Sequence, residues 1–103
     1  MNNVKEIKQW TRFLPVELKI AEDEQFIKVF KIVVPKVIRN DGLGTIVMKE
    51  IIKYASSRYK PIILTPSADF GGDVDRLTKW YSSLGFQDLP QIWNLDDKMY
   101  KTP

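Results

Sequence analysis

The chain has 103 residues, 44% of them hydrophobic and 28% charged, with a net charge of +3 and neither cysteine nor histidine. That balance fits one globular domain over residues 1–103, and no apolar run approaches the ~20 residues of a membrane span. Without Cys or His there is no disulfide, no thiolate nucleophile, no Cys-based zinc site and no imidazole base, so direct, metal-free transfer from a bound donor is a chemistry that survives.

Asn3 is placed to cap a first helix whose apolar residues Val4, Ile7, Trp10 and Leu14 recur at helical spacing until Pro15 ends it. Val16, Leu18 and Ile20 alternate with Glu17 and Lys19, a half-buried strand. A polar turn over 21–24 leads to a second strand, Phe26 to Val34, so the two form an antiparallel hairpin. Ile32, Val33 and Val34 are apolar on both faces, which places that strand centrally. A helix from Gly44 to Ser57 follows, with Leu43, Val47, Ile51, Tyr54 and Ala55 on one broad face. The stretch 61–65 (PIILT) is a short buried strand closed by Pro66, and 67–73 (SADFGGD) is a loop with a double glycine. Asp73 can cap the next helix, on which Val74, Leu77, Tyr81 and Leu84 share a face. Gly85 followed by Phe86 is the pattern of a Schellman ending. The tail is turn-rich, with a last strand over 98–101. Strand, helix, strand requires a parallel crossover while the hairpin is antiparallel, so the fold class is α/β with a mixed sheet.

The turn between the second strand and its helix carries the chemistry. Arg39-Asn40-Asp41-Gly42-Leu43-Gly44 is an R-x-x-G-x-G run. Two glycines allow close backbone approach, and the first N–H groups of a helix are unpaired at the positive end of its dipole. Such a turn can cradle a phosphate. It lacks the third glycine of a dinucleotide fingerprint and the lysine of a P-loop. By itself it is equally readable as a loop with two structural glycines. The scattered lysines form no dense patch, so nucleic-acid binding has only the +3 charge behind it.

Two further segments fit this turn. Residues 77–86 (LTKWYSSLGF) have the form L-x-x-[aromatic]-Y-x-x-x-G-F, and Ile32-Val33-Val34-Pro35 precedes Arg39. Together they resemble the GNAT acetyltransferases over about Phe26 to Phe86. The resemblance implies a GNAT-like fold with helices on both faces of the sheet, abbreviated at the N-terminus. It implies an N-acetyltransferase using acetyl-CoA and an amine acceptor, either a protein lysine or N-terminus or a small amine; the start MNNVKEIKQW, with no signal-peptide h-region, leads one to expect a cytoplasmic protein. Backbone groups of Ile32, Val33 and Val34 would hold the pantetheine arm and the thioester oxyanion. The amides of Arg39, Asn40, Asp41, Gly42, Leu43, Gly44 and Thr45 would hold the pyrophosphate, and Tyr81 would protonate the departing thiolate.

The sequence departs from the family pattern at two points. Three residues (Lys36, Val37, Ile38) separate Pro35 from Arg39, and Asp73 and Val74 stand where relatives carry an Asn that binds pantetheine. Ser67, Asp69, Gly71 and Gly72 are candidates for that role. Glu17, Glu22, Glu24 and Asp69 are candidate bases beside the alternative of a water chain. A shorter N-terminal part leaves the acceptor side open, which suits a protein acceptor or a site completed in a homodimer. The other reading is a catalytically silent coenzyme A-binding or protein-interaction module.

Overall fold

A computed structural model describes residues 3–35, 42–67, 73–93 and 95–103. The elements are α1 (Val4–Thr11), β1 (Glu17–Glu22), β2 (Ile27–Val33), α2 (Leu43–Ser57), β3 (Ile62–Leu64), α3 (Val74–Ser83), β4 (Gln87–Asp88) and β5 (Met99–Lys101), with a short 3₁₀ turn at Gln91–Trp93. They build a five-stranded sheet in the order β1-β2-β3-β5-β4. Only β2 and β3 are parallel; the other neighbours are antiparallel.

Local chemistry sets the element ends. Asn3 caps α1 by accepting from the Glu6 N–H at 2.8 Å. The helix stops at Thr11, short of Leu14, because Phe13 and Leu14 donate to carbonyls three residues back and tighten the last turn before Pro15. The β1–β2 turn falls at Asp23 to Phe26, later than the polar run suggested. There the Asp23 carboxylate accepts from the N–H groups of Gln25 and Phe26, both at 2.7 Å, and backbone pairing continues to Glu22. Asp73 caps α3 through the N–H groups of Asp75 and Arg76. Gly85 ends it at φ +99°, with Phe86 N–H on Tyr81 O and Gly85 N–H on Ser82 O, the two bonds of a Schellman motif. The turn-rich tail contains one strand that periodicity missed: β4 is two exposed residues long, too short to show alternation, and pairs with β5.

Ile20, Ile27, Val29, Ile62 and Leu64 of the sheet join Ile7 of α1, a broad stripe of α2 and Tyr81 of α3 in one core. The mixed five-stranded sheet with three helices is the α/β architecture that the sequence leads one to expect. The parallel pair is joined by the crossover β2-α2-β3, and α1 packs on the edge strand β1 and reaches α2. On the opposite face Ile63 lies between Lys28 and Tyr100 in register, with Trp93 against Tyr100 at 4.8 Å between ring centres. Among the described residues no helix is long and apolar enough to cross a membrane.

The feature that matters most for a site is where the central pairing stops. β2 pairs with β3 over three residues, ending at Val29 opposite Leu64, yet β2 continues to Val33 alongside β1. The β1–β2 register slips between Lys19–Lys31 and Ile20–Val29, so Phe30 is an extra residue in β2. A bulge bends its strand and increases local twist. Here it coincides with the point at which β2 leaves β3.

Candidate functional site

The gap between the diverging strands opens into a cavity of about 210 Å³. Its walls come from four places: β2 from Val29 to Val33 and the following Val34, the N-terminus of α2, the end of β3 at Thr65 and Ser67, and one stripe of α3. Ile32, Val33, Val34, Gly42, Gly44, Thr45 and Tyr81 all lie on that wall. Leu43 sits in the first turn of α2 and packs against the core. Arg39, Asn40, Asp41 and Asp69 lie outside the described residues.

The two glycines of the turn serve different ends. Gly42 is the N-cap of α2 at φ +75°, and a Cβ there would meet nothing within 4 Å. Its requirement is conformational, because side chains rarely tolerate that φ. Gly44 needs no special dihedral; a Cβ there would come within 3.3 Å of Val34 Cγ2 and 3.4 Å of the Trp80 ring. Its smallness lets the start of α2 nest between β2 and α3. The cap residue offers no side-chain hydrogen bond and the first turn carries no acid. Among the described residues Ile46 N–H is the first to bond back, to Gly42 O. The amides of Leu43, Gly44 and Thr45 are therefore the open end of the helix, with Gly44 and Thr45 on the cavity wall.

Tyr81 is 5% exposed and sits between Trp80 at 4.9 Å and Phe86 at 5.6 Å, centre to centre. It is both a core aromatic and a residue of the cavity wall. Burial alone pushes its phenol from the ordinary 10 up to about 12. The phenol thus keeps its proton across the physiological range. This is higher than the value near 10 that an exposed phenol would have.

The acidic candidates fare differently. Glu22 lies at the far end of α2, where its carboxylate accepts from Tyr54 Oη at 2.5 Å and Lys60 Nζ at 2.7 Å, with Arg58 Nε at 3.5 Å. Burial would raise its pKa, but the bonds from Lys60 and Tyr54 and the neighbouring positive charges hold it below the usual carboxylate value. It is a structural tie between the hairpin and α2. Glu17 pairs with Lys31 at 2.6 Å on the surface, and Glu24 is exposed in the hairpin turn. Among the described carboxylates Asp73 lines the cavity, where it caps α3.

Sequence reasoning missed Arg76 and underused Trp80. Both line the cavity, and the Arg76 guanidinium makes no ion pair among the described residues. The signal was present: 73, 76, 77, 80 and 81 form one helical stripe, and Arg76 stands one turn before Trp80. Asp97, also unremarked, is a buried carboxylate paired with Lys28 at 3.1 Å and bonded to the Thr65 hydroxyl at 3.0 Å. No group of three or more potential metal-binding side chains occurs among the described residues.

This mixed α/β fold is shared with solved structures of GNAT-fold acetyltransferases. Two solved structures carry the likeness. Ard1 from Thermoplasma volcanium superposes with a TM-score of 0.61 at 12% identity, over 84% of this chain and 62% of that one. Arabidopsis thaliana Naa50, in complex with the bisubstrate analogue CoA-Ac-MVNAL, gives a TM-score of 0.60 at 14% identity, over 85% of this chain and 64% of that one. The chain thus spans less than two thirds of the length of either. No family model and no curated protein matches the sequence.

Proposed function

We propose that this domain is an acetyl-CoA-dependent N-acetyltransferase that moves the acetyl group directly to an amine. One observation carries the reading: the open end of α2 and the buried hydroxyl-bearing ring of Tyr81 face the same cavity, which begins where β2 parts from β3. The pantetheine arm would lie along β2 beside Ile32, Val33 and Val34, occupying the side that β3 has left. The diphosphate would sit on the amides of Gly42 to Thr45, with Arg39 and Arg76 supplying positive charge. The likeness to a protein that binds a coenzyme-linked peptide favours a peptide amine as acceptor.

In the reaction the acceptor nitrogen attacks the thioester carbonyl, and the carbonyl oxygen becomes an oxyanion stabilised by a backbone N–H near Val33 or Val34. Collapse breaks the C–S bond, the amide forms, and the thiolate takes the Tyr81 proton. The attacking nitrogen loses its proton to water, which returns one to the phenolate. A phenol at about 12 is a weak acid beside a free thiol near ~8.5. However, the leaving thiolate would share the apolar cavity, and burial raises a thiol for the same reason.

Thermal unfolding with and without acetyl-CoA tests the reading. At a hundred times the dissociation constant the ligand adds ~2.7 kcal/mol of stability. No shift at millimolar ligand would remove both coenzyme and enzyme from the account. A second reading, a coenzyme-binding or interaction module without turnover, draws on the lack of an uncommitted carboxylate among the described wall residues. A thermal shift with no transfer across a panel of amines and peptides would establish it.

A further inference from the structure

Trp80 does more than fill the core. Its indole N–H donates to the Thr45 hydroxyl at 3.0 Å, joining α3 to the third residue of α2. A hydroxyl has one proton and two lone pairs. By accepting the indole proton, Thr45 Oγ1 gives up a lone pair and keeps its own O–H to donate. Thr45 donates it to no described residue, and Thr45 and Trp80 both line the cavity. The contact is tightly packed. Gly44, beside Thr45, has Val34 on one side and the Trp80 ring on the other, each within 3.5 Å of where a Cβ would stand.

From this geometry we infer that Trp80 is a positioning residue for the coenzyme diphosphate: it orients the Thr45 hydroxyl so that its proton joins the α2 amides as an anion donor. The inference rests on the coenzyme reading above and adds a side-chain donor, set by α3, to a cradle of backbone amides. Trp80 also packs against Tyr81, their tilted rings 4.9 Å apart, so one helix carries both the proposed proton donor and the group that orders the diphosphate site.

The test separates the diphosphate from the rest of the ligand by calorimetric titration with acetyl-CoA and with S-acetyl-pantetheine, which lacks it. Trp80→Phe keeps an aromatic ring and removes the N–H. It should weaken acetyl-CoA binding about tenfold, the scale of one hydrogen bond to a charged group, and leave S-acetyl-pantetheine within about twofold. Thr45→Val, which preserves all the indole packing, should show the same selective loss, and Thr45→Ser should restore affinity. The double variant should lose no more than either single one, because both remove the same donor. Equal losses for the two ligands, losses that multiply, or no loss would overturn the inference while leaving the coenzyme reading in place. Wild-type protein that binds neither ligand would overturn that reading and this inference with it.

Discussion

Two residues carry separable consequences. Tyr81→Phe removes a hydroxyl and keeps the ring packed between Trp80 and Phe86. If the phenol protonates the thiolate, turnover should fall roughly 10²- to 10⁴-fold, with coenzyme affinity and melting temperature nearly unchanged. A rate within about threefold of wild type would leave Tyr81 as core alone. Tyr81→Ala cannot decide this, since a cavity there costs ~3 kcal/mol or more. Gly42→Val is the complementary change. Nothing obstructs a side chain at that position, but φ +75° is hostile to a β-branched residue. The turn should shift, weakening acetyl-CoA affinity at least about tenfold while the domain stays folded, as calorimetry and circular dichroism would report. Unchanged affinity would show that this turn does not hold the phosphates.

At the level of elements, α2 joins the proposed coenzyme site at one end to a stabilising cluster at the other. Its N-cap, Gly42, makes no side-chain hydrogen bond, while its C-terminus is closed twice. Lys60 N–H bonds Ala55 O and Tyr59 N–H bonds Ser56 O, and the Glu22 carboxylate draws Tyr54, Arg58 and Lys60 together. That Schellman ending places Tyr59 at φ +55°, where glycine is the preferred residue, and the side chain is 87% exposed. Tyr59→Gly relieves a left-handed backbone at the loss of almost no packing. It should stabilise the domain by about 0.5–1 kcal/mol, read as a higher urea midpoint at unchanged slope. A lower midpoint would mean that the ring packs on something outside the described residues.

Across the whole molecule, two buried phenols make stability sensitive to base. Burial raises Tyr81 to about 12, and burial together with the Glu22 carboxylate raises Tyr54 to about 12. Below pH ~10 both folded and unfolded chains keep these protons. Between ~10 and ~12 the unfolded chain releases them first, so stability falls as pH rises through that window. Each group accounts for roughly 2–3 kcal/mol at most, and together they approach the lower end of a typical domain's stability. Denaturation midpoints measured from pH 8 to 12 should therefore drop steeply above pH ~10. Tyr81→Phe should flatten about half of that decline. A profile flat to pH 12 would show that neither phenol is shielded from solvent.

The sequence alone determined the helices with capping residues and a clear apolar period, the hairpin, the buried 61–65 strand and the Schellman stop at Gly85. It also singled out Gly42, Gly44, Thr45 and Tyr81, which line one cavity. These are local matters: caps, dihedrals and periodicity act within a few residues, so the chain spells them out. What the tertiary structure decided involves residues distant in sequence. The splay at Phe30 depends on register between strands, and β4 exists only by pairing with β5. Glu22 is tied to Tyr54 and Lys60, partners 32 and 38 residues away. Gly44 turned out to be small for the sake of Val34 and Trp80, and Arg76 reached the cavity because α3 crosses back over the start of α2. Side-chain roles of that kind are set by which surfaces the crossovers bring together, and no window along the chain contains both partners.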